Sequence, residues 1–148
     1  MSNHSDDLSK NRRRLLQGMA ATAFTTSLPA MSATPADAAL LKRAIPRSGE
    51  LLPVIGLGTY VVLDVAANAP EMAELREVMR GFVAAGARVV DSSPMYGRAE
   101  ARIGDLSAAL NIRDRLFLAT KVWTSGRDAG IAQMRDSFRL MQTKVIDL

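Results

Sequence analysis

The sequence of 148 residues contains no cysteine, and its single histidine, His4, lies in a polar N-terminal stretch. Without thiols the chain cannot form disulfides, thiolate metal sites or cysteine nucleophiles. With no histidine after His4, it cannot build a Ser-His-Asp triad or a histidine-ligated zinc site. Aromatic residues are also scarce, at 5%. Any chemistry must therefore come from Asp, Glu, Lys, Arg, Tyr or Ser side chains.

The charge is positive but mixed in sign, with 19 basic and 15 acidic residues and a net charge of +4. No basic stripe alternates with aromatic residues, so we expect no nucleic-acid binding. The acidic residues do not form clusters, so we also expect no metal site. Hydrophobic residues make up 48% of the chain, which is typical of a globular domain.

Residues 1–38 have the order of an export signal. The basic and leucine-containing stretch Arg12–Leu16 precedes a mildly apolar run, Gly18–Ala33, and Ala36-Asp37-Ala38 supplies the small residues that a signal peptidase reads. The paired arginines resemble a twin-arginine signal, which predicts the twin-arginine export machinery as a partner, cleavage near Ala38 and a periplasmic location. An amphipathic helix or an uncleaved anchor is the alternative. A membrane span needs about 20 apolar residues. This run is shorter and more polar, and we expect no membrane span in the mature chain.

From residue 39 onward, strand-like and helix-like segments alternate. The predicted elements are a hairpin with flanks at 44–46 and 51–53, strands at 54–57, 88–91, 116–120 and 145–148, and helices beginning near Pro70, Ala99 and Ser125–Arg127. The predicted core faces of the first and third helices are Met72, Leu75, Val78, Met79, Phe82 and Val83, and Ile131, Met134, Phe138 and Met141. Strands separated by helices indicate an α/β fold with a parallel sheet.

Two architectures fit this alternation: an open doubly wound sheet and a (β/α)₈ TIM barrel. The open sheet favours Gly-x-Gly-x-x-Gly at its first turn, but no third glycine follows Gly56-Leu57-Gly58 at the required spacing. A barrel needs about 250 residues. Residues 39–148 would then be its N-terminal half, with about the first four strands and an N-terminal hairpin.

Polar side chains stand at the predicted strand ends, which is where parallel α/β proteins carry their sites. Asp91 ends the second strand, Tyr96 follows five residues later, and Lys121 ends the third strand. An ammonium stabilises a nearby phenolate, and a carboxylate would keep that ammonium charged and in place. Such a trio suits proton donation to a carbonyl oxygen during hydride transfer. Each residue also has a purely structural interpretation: Asp91 as the cap of a turn, Lys121 as a solvated lysine, and Tyr96 as a ring packed over its loop.

Three segments resemble the aldo-keto reductase family: Ile45–Thr59, Gly86–Gly97 with Glu100 and Gly104 after it, and Leu116–Trp123. The resemblance implies a (β/α)₈ barrel whose bottom is closed by a hairpin, and NADPH-dependent reduction of a small aldehyde or ketone, with NADH as the alternative cofactor. It makes Tyr96 the general acid, Lys121 the cation beside it, and Asp91 the partner of Lys121. Cofactor-binding residues would be Gly58, Thr59, Asp91 and Lys121, and substrate-binding residues Tyr60, Met95 and Trp123.

The resemblance also implies parts that lie beyond Leu148, namely a fourth catalytic residue, a histidine, and the groups that grip the adenosine. We therefore expect the chain to be the N-terminal fragment of such an enzyme and to be inactive alone. The Glu100 spacing from Tyr96 leaves the branch of the family, and so the natural substrate, open. The alternatives are a noncatalytic exported barrel fragment or binding module, and a different exported barrel enzyme such as a hydrolase.

Overall fold

The computed structural model describes residues 39–148, so the predicted export signal lies outside the described residues. Short strands and three α-helices follow one another along this part of the chain. They are β1 (Lys42–Ala44), β2 (Leu51–Pro53), β3 (Gly56–Gly58), α1 (Glu71–Ala84), β4 (Val89–Asp91), α2 (Ala99–Leu110), a 3₁₀ turn (Arg113–Arg115), β5 (Phe117–Ala119) and α3 (Arg127–Leu140). The predicted alternation of strand and helix is confirmed.

The predicted hairpin forms from β1 and β2, which pair antiparallel with Ala44 opposite Leu51. Its loop is closed by two backbone hydrogen bonds of 2.8 Å, from Ile45 N to Glu50 O and from Gly49 N to Ile45 O. Gly49 has a φ of 74°, a left-handed conformation that costs glycine little. The turn is therefore at Ser48-Gly49, as the sequence predicts, although β1 begins and ends two residues earlier than expected.

The parallel sheet has the order β3-β4-β5. Gly58 lies opposite Asp91, and Asp91 lies opposite Ala119. The three strands therefore end at one level, and the residues that follow them share one edge of the sheet. This edge is where the predicted site residues were expected to meet, and the register brings their backbones together.

The prediction of a fourth strand at 145–148 is wrong, because this segment is not a strand. It lies beside β5: the N–H groups of Asp147 and Leu148 donate to Leu118 O at 2.8 and 3.2 Å, and Thr120 N donates to Leu148 O at 2.9 Å. The side chain of Asp147 accepts the Leu118 N–H at 2.8 Å. The carboxylate thus accepts the Leu118 amide, which in a continuous parallel ladder would donate to a backbone carbonyl, and no continuous strand forms over 145–148.

The core lies between the sheet and the helices. Its fully buried side chains include Met79 of α1, Ile103 and Leu106 of α2, Val90 of β4, Leu118 of β5, and Met141 just after α3. Burial of each such side chain contributes about 1.5–3 kcal/mol. Of the predicted core faces, Met79, Val83 and Met141 are buried, while Val78 and Met134 are exposed, at 51% and 45%; the others are half-buried. The buried residues of α1 are Met79 and Val83, and that of α3 is Ser137.

Helices α2 and α3 approach each other closely at Gly104. A Cβ at this position would lie 2.2 Å from the carbonyl oxygen of Leu140, a distance that no real side chain tolerates. Only glycine permits this packing. Among residues 39–148, no helix is both long enough and apolar enough to cross a bilayer.

Candidate active site

The ammonium of Lys121 is held at the edge of the sheet by three oxygen atoms. Its Nζ donates to Asp91 Oδ1 at 2.8 Å, to Asp91 Oδ2 at 2.9 Å and to the carbonyl oxygen of Ser92 at 2.7 Å. An ammonium has three protons to donate, so these contacts use its full capacity. The Lys121 and Asp91 side chains remain 38% and 48% exposed, which keeps the pair open to a ligand.

Tyr96 lies beside this ion pair in the loop between β4 and α2. The Nζ of Lys121 stands 5.3 Å from the centroid of the Tyr96 ring, within the range of a cation–π contact. The Tyr60 ring also contacts Tyr96, with 5.0 Å between ring centroids and a tilt of 57°. The structure therefore brings Asp91, Tyr96 and Lys121 together at one edge of the sheet, with Tyr60 next to them.

The Tyr96 loop is shaped by its own backbone and by the serine before it. Tyr96 N donates to the carbonyl oxygen of Ser93 at 3.0 Å, and Met95 N donates to Ser93 Oγ at 3.4 Å. Ser93 is fully buried. The loop thus turns back on itself, leaving Met95 50% exposed at its tip.

Thr59 is fully buried, and the partners of its hydroxyl are the last residue of β4 and the residue after it. Thr59 Oγ1 lies 2.9 Å from the carbonyl oxygen of Asp91 and 3.0 Å from Ser92 Oγ. This side chain therefore joins the ends of β3 and β4 from beneath the site. Gly58, one residue earlier, is exposed, and no atom lies within 4 Å of where its Cβ would be.

A cleft of about 350 Å³ opens next to Tyr96. It is lined by Tyr60, Val61, Asp64, Met95, Tyr96 and Gly97. Two of the three predicted substrate-binding residues, Tyr60 and Met95, thus line one cleft. Trp123 is not among its lining residues; its backbone N–H donates to the side-chain oxygen of Gln133 on α3. The substrate role of Trp123 stays a prediction.

Asp64 is a residue of this cleft that the sequence reasoning missed. Its Oδ1 accepts the backbone N–H of Arg98 at 3.0 Å and lies 3.5 Å from the Arg98 guanidinium. Gly97, with a φ of 60°, makes room for it, because a Cβ there would lie 2.4 Å from the Asp64 carboxyl. These contacts tie the Tyr60 loop to the Tyr96 loop. No spacing rule links residues so far apart in the chain, so only the folded structure shows the pairing.

The Tyr60 loop also contains a strained residue. Val61 has a φ of 66°, a conformation that is costly for a β-branched side chain. The N–H of Val62 donates across it to the carbonyl oxygen of Tyr60 at 2.7 Å, the hydrogen bond of a three-residue turn. Strain of this kind persists only where surrounding contacts hold it, and here it accompanies the exposed placement of Tyr60.

Comparison with known proteins decides the family. The family model described as "Aldo/keto reductase family" matches residues 54–148, which is more than half of the chain. The chain belongs to the aldo/keto reductase family. The three parallel strands with their helices correspond to part of the (β/α)₈ barrel of the aldo-keto reductases, which excludes the doubly wound alternative.

Two curated relatives show how much of such a protein this chain spans. It is 32% identical over 113 residues to a methylglyoxal reductase of Escherichia coli, an alignment that covers 72% of this chain and 38% of the relative. It is 31% identical over 106 residues to an NADP-dependent D-sorbitol-6-phosphate dehydrogenase of Malus domestica, covering 68% of this chain and 31% of the relative. The aldo-keto reductase chain thus spans well under half the length of these relatives.

Solved structures agree with this assignment. An aldo-keto reductase of Klebsiella pneumoniae in complex with NADPH superposes with a TM-score of 0.60 at 27% identity, covering 73% of this chain and 38% of that one. An aldo/keto reductase of the same organism, in complex with NADP and acetate, gives a TM-score of 0.57 at 29% identity, covering 67% and 35%. The backbone of the described residues is therefore that of aldo-keto reductases.

Proposed function

We propose that this aldo-keto reductase chain contributes the proton-donating half of a site that reduces small aldehydes or ketones with NADPH. The observation that carries the proposal is the contact of Lys121 Nζ with both carboxylate oxygens of Asp91, at 2.8 and 2.9 Å, while it stands 5.3 Å from the Tyr96 ring centroid. Membership of the family supports it, as does the name of the methylglyoxal reductase relative.

The chemistry of the described residues fits the nicotinamide end of the cofactor. Open space above Gly58 lets a flat ring approach the backbone, and the half-exposed carboxylate of Asp91 accepts hydrogen bonds of the kind that ribose hydroxyls donate. Thr59 would support this position from beneath and not bind the cofactor through its hydroxyl, because that hydroxyl is hydrogen-bonded to Asp91 and Ser92. When bound, NADPH supplies a hydride equivalent. NADP and NADPH are present in the two Klebsiella structures, which favours this cofactor over NADH.

The proposed role of Tyr96 is to give its phenolic proton to the substrate oxygen as negative charge develops there. Lys121 favours this transfer because its positive charge stabilises the phenolate that remains. Asp91 and the Ser92 carbonyl hold the ammonium in place, so little reorganisation accompanies the transfer. Tyr60 and Met95 would contact the substrate from the adjoining cleft.

The deciding experiment measures NADPH oxidation by the protein expressed from its own gene, with methylglyoxal and 4-nitrobenzaldehyde as substrates. Tyr96→Phe removes the proton donor, and we expect kcat to fall by about 10²- to 10⁴-fold. Tyr60→Phe is the matched variant, since it removes the neighbouring phenol; we expect it to change KM more than kcat. Retention of the parent kcat by a folded Tyr96→Phe variant would show that Tyr96 is not the acid.

For the leader we propose export by the twin-arginine pathway, with cleavage near Ala38. The support is the order of Arg12–Leu16, the apolar run and Ala36-Asp37-Ala38 in the sequence. The test is fractionation of a bacterial host that expresses the parent and the double variant Arg13→Lys/Arg14→Lys. We expect a periplasmic protein beginning at Ala39 for the parent, and retention of the variant in the cytoplasm. Equal export of both would contradict the proposal.

A further inference from the structure

Glu100 is a buried carboxyl group that the proposed mechanism does not use. It lies in the first turn of α2 and is only 3% exposed. Burial of such a group is unfavourable unless a partner satisfies it. Its side chain accepts a hydrogen bond from Thr120, whose Oγ1 lies 2.7 Å from Glu100 Oε1. This contact joins the helix layer to the residue that follows β5.

Thr120 stands directly before Lys121 at the end of β5. Successive side chains along an extended chain point to opposite faces. The Thr120 side chain contacts α2 on the helix side, while Lys121 reaches Asp91 and Ser92 at the site. The Thr120 backbone is fixed a second time, because its N–H donates to Leu148 O at 2.9 Å. Because Thr120 is held on the helix side of the sheet, the Lys121 side chain starts from a fixed backbone position on the side of the site.

We infer that Glu100 is a positioning residue for Lys121. Through the Thr120 hydroxyl it fixes the end of β5, so that the ammonium reaches its three oxygen partners beside Tyr96. The inference rests on the proposed function for its catalytic meaning, while the placement of Lys121 is measurable without catalysis. Glu100 touches neither cofactor nor substrate in this scheme.

The test measures how fast Lys121 reacts with trace acetic anhydride in the folded protein, by peptide mass spectrometry. Lys42 and Lys144, both exposed, are internal references in the same chain. Thr120→Val removes the hydroxyl at constant shape, and Glu100→Leu removes the acceptor. Relative to the references, we expect Lys121 labelling to rise about two- to tenfold in each, the equivalent of one hydrogen bond. Combining the two changes should add little, because both remove the same contact.

Two conservative variants and one control separate positioning from general destabilisation. Glu100→Gln keeps an acceptor oxygen and Thr120→Ser keeps the hydroxyl, so both should label like the parent. Ser107→Ala removes another buried hydroxyl of α2, which donates to Gly104 O at 3.1 Å, and should leave Lys121 labelling unchanged. If Glu100→Leu fails to fold, Thr120→Val alone decides. Parent-like labelling in folded Thr120→Val would overturn the inference.

Kinetics give the second readout and keep the two proposals distinguishable. If the parent reduces a carbonyl substrate, kcat should fall by the same factor as the labelling rises, with KM nearly unchanged, and Glu100→Gln should restore it. If the protein expressed from its own gene reduces none, the proposed function fails, while the labelling still decides whether Glu100 positions Lys121. A fall in unfolding free energy with unchanged labelling would show that Glu100 is structural only.

Discussion

The hydroxyl oxygen of Thr59 lies 3.0 Å from that of Ser92 and 2.9 Å from the Asp91 carbonyl, so one buried side chain supports the strand that carries the carboxylate. The two residues are fully buried and directly follow the neighbouring parallel strands β3 and β4. Loss of this hydroxyl leaves polar atoms without a partner and out of reach of water. Unpaired buried polar atoms lower the stability of the folded state, so the Thr59 hydroxyl stabilises the connection between the site and the sheet.

Thr59→Val should therefore lower the free energy of unfolding by about 1–3 kcal/mol, because it leaves the Ser92 hydroxyl and the Asp91 carbonyl short of a buried partner. Thr124→Val is the matched control, since Thr124 is exposed; its effect should stay within about 0.5 kcal/mol. Urea denaturation followed by circular dichroism measures both. Equal stability of the two variants would contradict the role given to Thr59.

Lys121→Met should abolish most carbonyl reduction while changing stability little. The long apolar stem is kept, but the positive charge beside Tyr96 is lost, and we expect kcat to fall on the order of 10²- to 10³-fold. Asp91 keeps access to water, so its unpaired carboxylate is tolerated. Lys42→Met, on exposed β1, is the control and should react at the parent rate. Steady-state NADPH oxidation decides, and a Lys121→Met variant as active as the control would rule out the assigned role.

Gly97→Ala should destabilise the fold more than Gly86→Ala, although both glycines have a left-handed backbone. Alanine in that conformation costs about 1–2 kcal/mol at either site. Only at Gly97 does the new Cβ also collide with the Asp64 carboxyl, while nothing lies within 4 Å at Gly86. We expect at least about 1 kcal/mol of additional loss at Gly97, measured by thermal unfolding. Equal losses of stability would show that this contact does not hold the Tyr60 loop against the Tyr96 loop.

Gly104→Ala and Gly81→Ala should shift stability in opposite directions. Both glycines are helical, and alanine improves an open helical position by about 0.5–1 kcal/mol, as expected at Gly81. At Gly104 the methyl group would lie 2.2 Å from the Leu140 carbonyl and push α3 away from α2. We expect a loss of about 1–3 kcal/mol there. A stabilised Gly104→Ala variant would mean that these helices do not pack as described.

Most of the element pattern could be predicted because it depends on local signals. Helix α2 begins at Ala99, as predicted, and the hairpin turn lies at Gly49, as predicted. The error at 145–148 has a different cause. An apolar run such as Val145-Ile146 favours a strand, but the Asp147 side chain takes the β5 amide that a strand would need. That competition depends on a partner 29 residues away, which no local pattern contains.

By itself the sequence determined the order of strands and helices and the residue types available for chemistry, because periodicity, glycines and the lack of thiols act locally or by composition. It also determined the family, through segments that carry Asp91, Tyr96 and Lys121. Tertiary structure decided which oxygens hold the Lys121 ammonium, that Thr59 joins the ends of β3 and β4, that Glu100 accepts the Thr120 hydroxyl, and that Asp64 joins the Tyr60 and Tyr96 loops. These relationships are set by strand register and helix packing, which bring together side chains that are far apart in the sequence.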